Sequence, residues 1–247
     1  MLRTGLVTGL ALMEDIQAAF SLAAGLIFSG DTDLFEIVGL SLTVSVTAVA
    51  FACAIGMTLG AAIGVTRFPG RSAVIVLLNA LMGLPPVVVG LCVYLLLSRA
   101  GPLGVLGLLY TPTAMIVAQT ILVTPVVAAL TRQVVEDLHH EYDEVLKSLG
   151  VKGIGRVRTL LWDARYSLIT VALAGFGRAV AEVGAVIIVG GNIDHLTRMM
   201  TTAIALETSK GNLALALALG IVLVGISLAV NGAVATLGGA APRTRNA

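Results

Sequence analysis

The chain has 247 residues, of which 57% are hydrophobic and 12% charged, with a formal net charge of +1. Soluble domains carry roughly a quarter charged residues, so this composition excludes an ordinary soluble protein and points to a polytopic membrane protein. The near-neutral balance gives no ground for a nucleic-acid partner, and aromatic residues, at 4%, are too few to mark interfacial belts.

The first stretch, Met1 to Gly30, has two apolar halves, Gly5–Met13 and Ala18–Phe28, separated by Glu14, Asp15 and Gln17. Neither half reaches the roughly 20 residues a spanning helix needs. Arg3 supplies a basic start, but no small-residue cleavage site follows, so a signal peptide is not read here. The favoured reading is an interfacial helix; a sixth span, or a true start at Met13, is the alternative. The domain organisation expected is an N-terminal segment over 1–35, a transmembrane domain over 36–240 and a basic tail over 241–247.

Asp31, Asp33 and Glu36 precede the first firm span, Ile37–Thr66. Arg67-Phe68-Pro69-Gly70-Arg71 is a tight basic turn. The second span, about Ser72 to Ser98, contains Gly83-Leu84-Pro85-Pro86. Two prolines in mid-membrane remove backbone donors and kink or break the helix. That is either a packed kink or unwound backbone lining a passage. The third span is about Pro112 to Leu130, with Pro125 near its end. A polar interval, 132–165, follows. Val134, Leu138, Tyr142, Val145 and Leu149 have helical spacing and predict one apolar face. Gly150 interrupts that helix, and Val151, Ile154 and Val157 begin a second short one.

The fourth span is about Tyr166 to Val189, and the fifth about Leu213 to Leu237. Arg178 and Glu182 sit inside the fourth span, four residues apart, where they share a helix face. Charges at the bilayer centre are costly, so the pair is either a structural lock or part of an anion pathway. Between the last two spans, the residues from Gly190 to Gly211 are too polar to span and too apolar for a free loop. A re-entrant or interfacial helix is expected there. Thr201 and Thr202 offer donors for an oxyanion or are ordinary helix surface, and His195 reads as a lone surface histidine. Pro85, Pro86, Arg178, Glu182, Asn192, Thr201, Thr202 and Glu207 make up the candidate pathway. Cys53 and Cys92 lie in apolar runs and read as buried small hydrophobes. No cysteine–histidine cluster has metal-ligand spacing, so no metal or cofactor is expected.

Basic residues Arg67, Arg71, those of 132–165, Arg243 and Arg245 fall on one side of a five-span arrangement. The positive-inside rule makes that side cytoplasmic.

Two resemblances narrow this reading. Glu144 followed six residues later by Gly150 resembles the EAA loop of ABC-importer permeases. Val145 and Leu146 stand in place of the family's two alanines, and Leu160-Leu161-Trp162-Asp163 stands where the family has Ile-x-Leu-Pro. The longer strings from Gly175 to Ala185 and Val189 to Ile193 resemble oxyanion-importer permeases, and those from Thr197 to Thr208, Met82 to Leu91 and Leu161 to Arg165 resemble the tungstate type more than the molybdate or sulfate types. The resemblance implies an all-α, type I ABC importer permease with five core transmembrane helices and an N-terminal interfacial helix. It implies that Asp143, Glu144, Lys147, Ser148, Leu149, Gly150 and Val151 meet an ATPase subunit. It also implies two ATPases, an extracytoplasmic binding protein, and a second copy of the chain, all at the cytoplasmic membrane. No phosphate-binding G-x-x-x-x-G-K-[ST] string occurs, so ATP hydrolysis is expected in a separate subunit and this chain is not expected to be an enzyme. A self-contained secondary transporter is the competing class. An intramembrane enzyme lacks a G-x-S-x-G serine or a histidine-rich motif in any span.

Overall fold

A computed structural model describes residues 17–151 and 153–240. The described chain is helical throughout. Helix α1 (Gln17–Ser29) is too short to span a membrane alone. The remainder of the expected N-terminal interfacial segment, together with the basic tail and Lys152, lies outside the described residues.

Among the described residues three helices are long and apolar enough to cross a membrane, and two bent pairs bring the number to five when each pair is counted as one span. Helix α2 (Thr32–Val65) starts a turn earlier than the apolar run, because the Asp31 carboxylate accepts from the Leu34 amide at 3.0 Å and caps it. The second span is two helices, α3 (Arg71–Met82) and α4 (Pro86–Leu97), bent by 97°. The prolines explain the break. Pro86 opens α4 at a position that needs no amide donor, and forces Pro85 into extended backbone with ψ 124°. A short 3₁₀ turn, Gly104–Leu106, lies in the connection that follows.

Helix α5 (Pro112–Ser148) is capped by the Thr111 hydroxyl, which accepts from Ala114 N at 3.4 Å. It passes through Pro125 and continues well beyond Leu130, so the first helix of the polar interval is the end of this span rather than a separate element. Its buried face also differs from the expected one. Val135 and Leu146 are buried and Leu138 and Tyr142 partly so, all against Leu160, Val157, Leu161 and Val151. Val145 and Leu149, assigned to the apolar face by spacing, are exposed. Helix α6 (Ile154–Asp163) supplies the other side of this small core.

The fourth span is also broken, into α7 (Arg165–Val180) and α8 (Gly184–Gly190), bent by 59°. Helix α9 (Met200–Lys210) is the short helix expected before the last span, and α10 (Leu213–Ala240) is that span.

Small residues set the packing. Ser41, Ser45, Ala48, Ala52, Gly56, Gly60 and Gly64 are buried along one stripe of α2. A Cβ on Gly56 would lie 3.0 Å from the Thr124 carbonyl oxygen, and one on Gly60 would overlap that of Ala128. Backbones therefore touch along α2 and α5, the close approach that small residues at four-residue spacing permit in membranes. The two cysteines are free; Cys53 is half-buried and Cys92 exposed, so neither is the buried hydrophobe that its apolar run implies.

Candidate functional site: two facing helix breaks and a distal docking surface

The two broken spans lie against each other. Gly90 of α4 packs on α8 so closely that a Cβ there would be 2.7 Å from Ala185 Cα. A Cβ on Gly184, the first residue of α8, would be 2.8 Å from Val87 Cγ2. The breaks at Pro85–Pro86 and at Ala181–Val183 thus face each other, brought together by glycines on both helices.

The backbone groups at the second break are bonded by side chains from α5, from α9 and from the break itself. Gln119 of α5 donates its Nε2–H to the Ala179 carbonyl at 3.1 Å. Thr201 of α9 donates its hydroxyl to the Glu182 carbonyl at 2.8 Å. Glu182 itself accepts from the Ala185 amide through Oε1 at 3.2 Å, capping α8. Unwound backbone is tolerated at membrane depth where partners of this kind replace the helical ladder.

The Arg178–Glu182 relationship differs from the one spacing predicts. Helix α7 ends at Val180, between them, and the closest approach is 4.0 Å, outside hydrogen-bonding distance. Glu182 is 5% exposed whereas the Arg178 side chain is 43% exposed. Glu182 is therefore first a cap, and Arg178 is a cation on an open face of α7, beside the small residues Ala174, Gly177 and Ala181.

The other pathway candidates separate into groups. Thr202 is buried and its hydroxyl is engaged with Met199, accepting from N at 3.1 Å and donating to O at 3.0 Å. Asn192, at φ 51°, donates Nδ2–H to the Thr202 carbonyl at 3.3 Å. Glu207 is remote from this set in its bonding, since its two oxygens hold Lys210 and Asn212, both at 2.9 Å, in the turn to α10. Ser41 and Gln119 belong to the site and were not singled out by sequence. Ser41 Oγ accepts from the Met200 amide at 2.8 Å and so fixes the start of α9 on α2. A lone polar residue in an apolar run, such as Gln119, is the signal that could have found it.

The other end of α5 carries the expected ATPase-facing residues. Gly150, at φ 69°, ends the helix: its amide bonds Lys147 O and the Val151 amide reaches back to Leu146 O at 3.0 Å. This is a Schellman closure, with Val151 against Leu146 as its apolar contact. Asp143 pairs with Lys147 at 2.6 Å and with Arg156 of α6 at 3.3 Å, tying the helix end to α6. Hydrogen bonding to Lys147 is the main cause that holds the Asp143 carboxyl below its ordinary range. Glu144, Val145, Lys147, Ser148 and Leu149 are left exposed, with Leu149 70% exposed and Trp162 of α6 73% exposed.

One more network, absent from the sequence reading, joins three elements. Glu136 of α5 binds Arg71 of α3 at 2.8 Å and also Arg132. Arg71 in turn donates Nε–H to the Ile63 carbonyl of α2 at 3.0 Å. Burial raises the Glu136 pKa, but the two arginines outweigh it and the net shift is downward.

Residues 54–239 match the model of the family described as "Binding-protein-dependent transport system inner membrane component". The chain belongs to this family. It is therefore an inner-membrane permease component, not itself a catalytic subunit, and its helical architecture is the type I ABC permease fold. Three relatives are similar over most of their length. The tungstate uptake system permease protein TupB of Peptoclostridium acidaminophilum is 41% identical over 225 residues, 91% of this chain and 99% of the relative. The protein of the same name from Campylobacter jejuni is 36% identical over 219 residues, 89% and 92% of the two chains. A probable anion ABC transporter permease protein of Haloferax volcanii is 42% identical over 205 residues, 81% and 88% of the two chains.

Proposed function

We propose that the chain is the membrane-spanning subunit of an ATP-driven importer of tungstate. The observation that carries this reading is the near full-length similarity to tungstate uptake permeases. An external binding protein delivers the anion, and a separate ATPase subunit supplies the energy. Two copies of this chain enclose the path. Helix α3 supports that last point, since none of its twelve apolar-rich residues is buried within one copy.

The geometry gives this reading a mechanism. The ATPase meets the exposed surface of Glu144, Val145, Lys147, Ser148 and Leu149, with Asp143, Gly150 and Val151 shaping it. Asp143–Arg156 and the shared core make the end of α5 and α6 one unit. That same helix runs back to Gln119, which holds the α7 terminus at the membrane break. At about 1.5 Å per residue, the 29 positions from Gln119 to Ser148 cover roughly 43 Å. Displacement at the docking surface thus reaches Ala179–Glu182 along one unbroken helix. Pro85, Pro86, Arg178, Glu182, Asn192, Thr201 and Thr202 line or support the passage. Arg178 is the group among them with exposed positive charge, and it suits a doubly charged oxyanion. Glu207 serves by fixing α9 to α10.

The test is ATP-dependent uptake of tungstate into vesicles holding the permease, its ATPase and the binding protein. Uptake of tungstate in preference to molybdate and sulfate is the expected result. Preference for either other anion would reassign the substrate, and uptake without ATP would remove the ABC mechanism.

A further inference from the structure

The end of the molecule opposite the docking surface holds a group of side chains that transport leaves unused. Asp33 and Glu36 stand three residues apart in the first turns of α2, on one helix face. His195 reaches them from the connection between α8 and α9, 159 positions further along the chain, with Nδ1 2.9 Å from Glu36 Oε2. One carboxylate oxygen from each acid and one ring nitrogen all lie within 4.8 Å of one another. With Asp194 and Arg198 they line a cleft of about 60 Å³. About 10–15 Å³ of such space holds one water, so the cleft has room for an ion and a bound water.

We propose that Asp33, Glu36 and His195 form an external binding site for a divalent transition metal of the zinc class. Two acids at a helix start are ordinary, because they favour the helix dipole. The imidazole delivered between them from a distant loop is what makes a ligand set. One nitrogen and two carboxylate oxygens suit zinc, nickel, cobalt or copper, whereas calcium and magnesium prefer oxygen alone. Zinc ligands at about 2.0–2.2 Å are separated from each other by roughly 3.4 Å in a tetrahedron. All three side chains are exposed and their ligand atoms already lie within 4.8 Å of one another, so the remaining approach is one that side-chain torsions can supply. Three protein ligands leave a fourth position for water.

The position gives the site a consequence. The loop bearing His195 leads directly into α9. Helix α9 already bonds to Ser41 of α2 through Met200 and to the Glu182 break through Thr201. A metal bridging α2 and this loop would clamp the start of α9, and with it the support of the break, from outside.

Zinc binding to the assembled transporter, permease with its ATPase, decides the matter. The complex is purified without a polyhistidine tag, stripped with chelator, and titrated with zinc against a chromogenic competitor. The expected result is one zinc per permease chain in the wild type. His195→Ala abolishes it, and Asp33→Asn or Glu36→Gln weakens it by about tenfold or more. His140→Ala, which removes an exposed histidine at the other end, leaves it unchanged. X-ray absorption at the zinc edge should show one imidazole and oxygen ligands. No saturable zinc binding, or equal binding in the wild type and His195→Ala, would overturn the proposal. Each variant is compared by gel filtration with the ATPase attached, so that loss of metal is not read from a failed assembly.

Discussion

Gly90 of α4 and Ala185 of α8 are in such close contact that no side chain fits between them: a Cβ on Gly90 would be 2.7 Å from Ala185 Cα. This contact is what sets the two helix breaks face to face. Gly90→Val should force the helices apart. Overpacking of a tight contact costs about 1–3 kcal/mol, so the variant should insert but melt earlier and transport poorly. Transport and thermal stability of purified complex measure both effects. Unchanged transport would mean that the α4–α8 crossing does not shape the passage.

Glu182 can be separated into its two roles. Glu182→Gln keeps an oxygen to accept from the Ala185 amide but removes the charge. Glu182→Ala removes the cap as well, a loss of about 0.5–2 kcal/mol. If the carboxylate acts as a cap, the glutamine variant should be as stable as the wild type and the alanine variant less so. Equal destabilisation by both would show that the negative charge toward Arg178 matters more than the cap.

Gly150 adopts φ 69°, where a side chain costs about 1–2 kcal/mol. Gly150→Val should disturb the Schellman closure without touching the membrane breaks. The expected outcome is a folded permease whose ATPase binds weakly or hydrolyses ATP without transport. Co-purification and the ratio of ATP hydrolysed to anion carried measure this. A normal ratio in the variant would remove Gly150 from the coupling role.

His139 lies outside the membrane on the same α5 face as Glu136 and Asp143. Burial is the main cause lowering its pKa from the ordinary 6.5; Arg156, His140 and Arg67 push the same way, and Asp143 opposes them. The folded state therefore prefers neutral imidazole. Stability from this preference is present above pH 6.5 and is lost as pH falls through the lower, folded value. Protease sensitivity at Gly150, where α5 ends, should rise between pH 7.5 and about 5.5. His139→Gln should flatten that dependence, and an unaltered profile in that variant would assign it to other groups.

Gly60 tests the small-residue stripe. A Cβ at this position would overlap the Ala128 carbonyl, a backbone atom that cannot rotate away. Gly60→Leu should abolish stable expression, whereas Gly232→Leu, on an open stretch of α10, should be tolerated. Equal yields of the two would argue against close α2–α5 packing.

Several features were legible from residues alone. Pro85–Pro86 broke a span where two missing donors required it, and Gly150 ended a helix as its position implied. The break after Val180 was hidden, because Gly177 to Val189 is continuously apolar apart from Arg178 and Glu182. Only partners from α5 and α9 reveal that its backbone is satisfied elsewhere. The buried face at the end of α5 was only partly legible. Leu138 and Tyr142 lie on it as their spacing implied, but Val145 and Leu149 fit the same spacing and are exposed, and Val135 and Leu146 take the buried positions instead. His195 looked solitary because its partners Asp33 and Glu36 lie at the far end of the sequence. The stripe Gly56, Gly60, Gly64 was not singled out in the sequence, although its four-residue repeat is the pattern along which the α2 and α5 backbones touch.

The central claim is an anion identity joined to a mechanism, and one measurement reaches both. Tungsten and molybdenum contents are compared by mass spectrometry in cells with the gene, without it, and with the Gly150→Val variant, when both anions are supplied together at limiting concentration. Loss of tungsten alone in the deletion strain, restored by the wild type but not by the variant, is the expected result. Loss of molybdenum instead, or full restoration by the variant, would contradict the substrate or the coupling mechanism respectively.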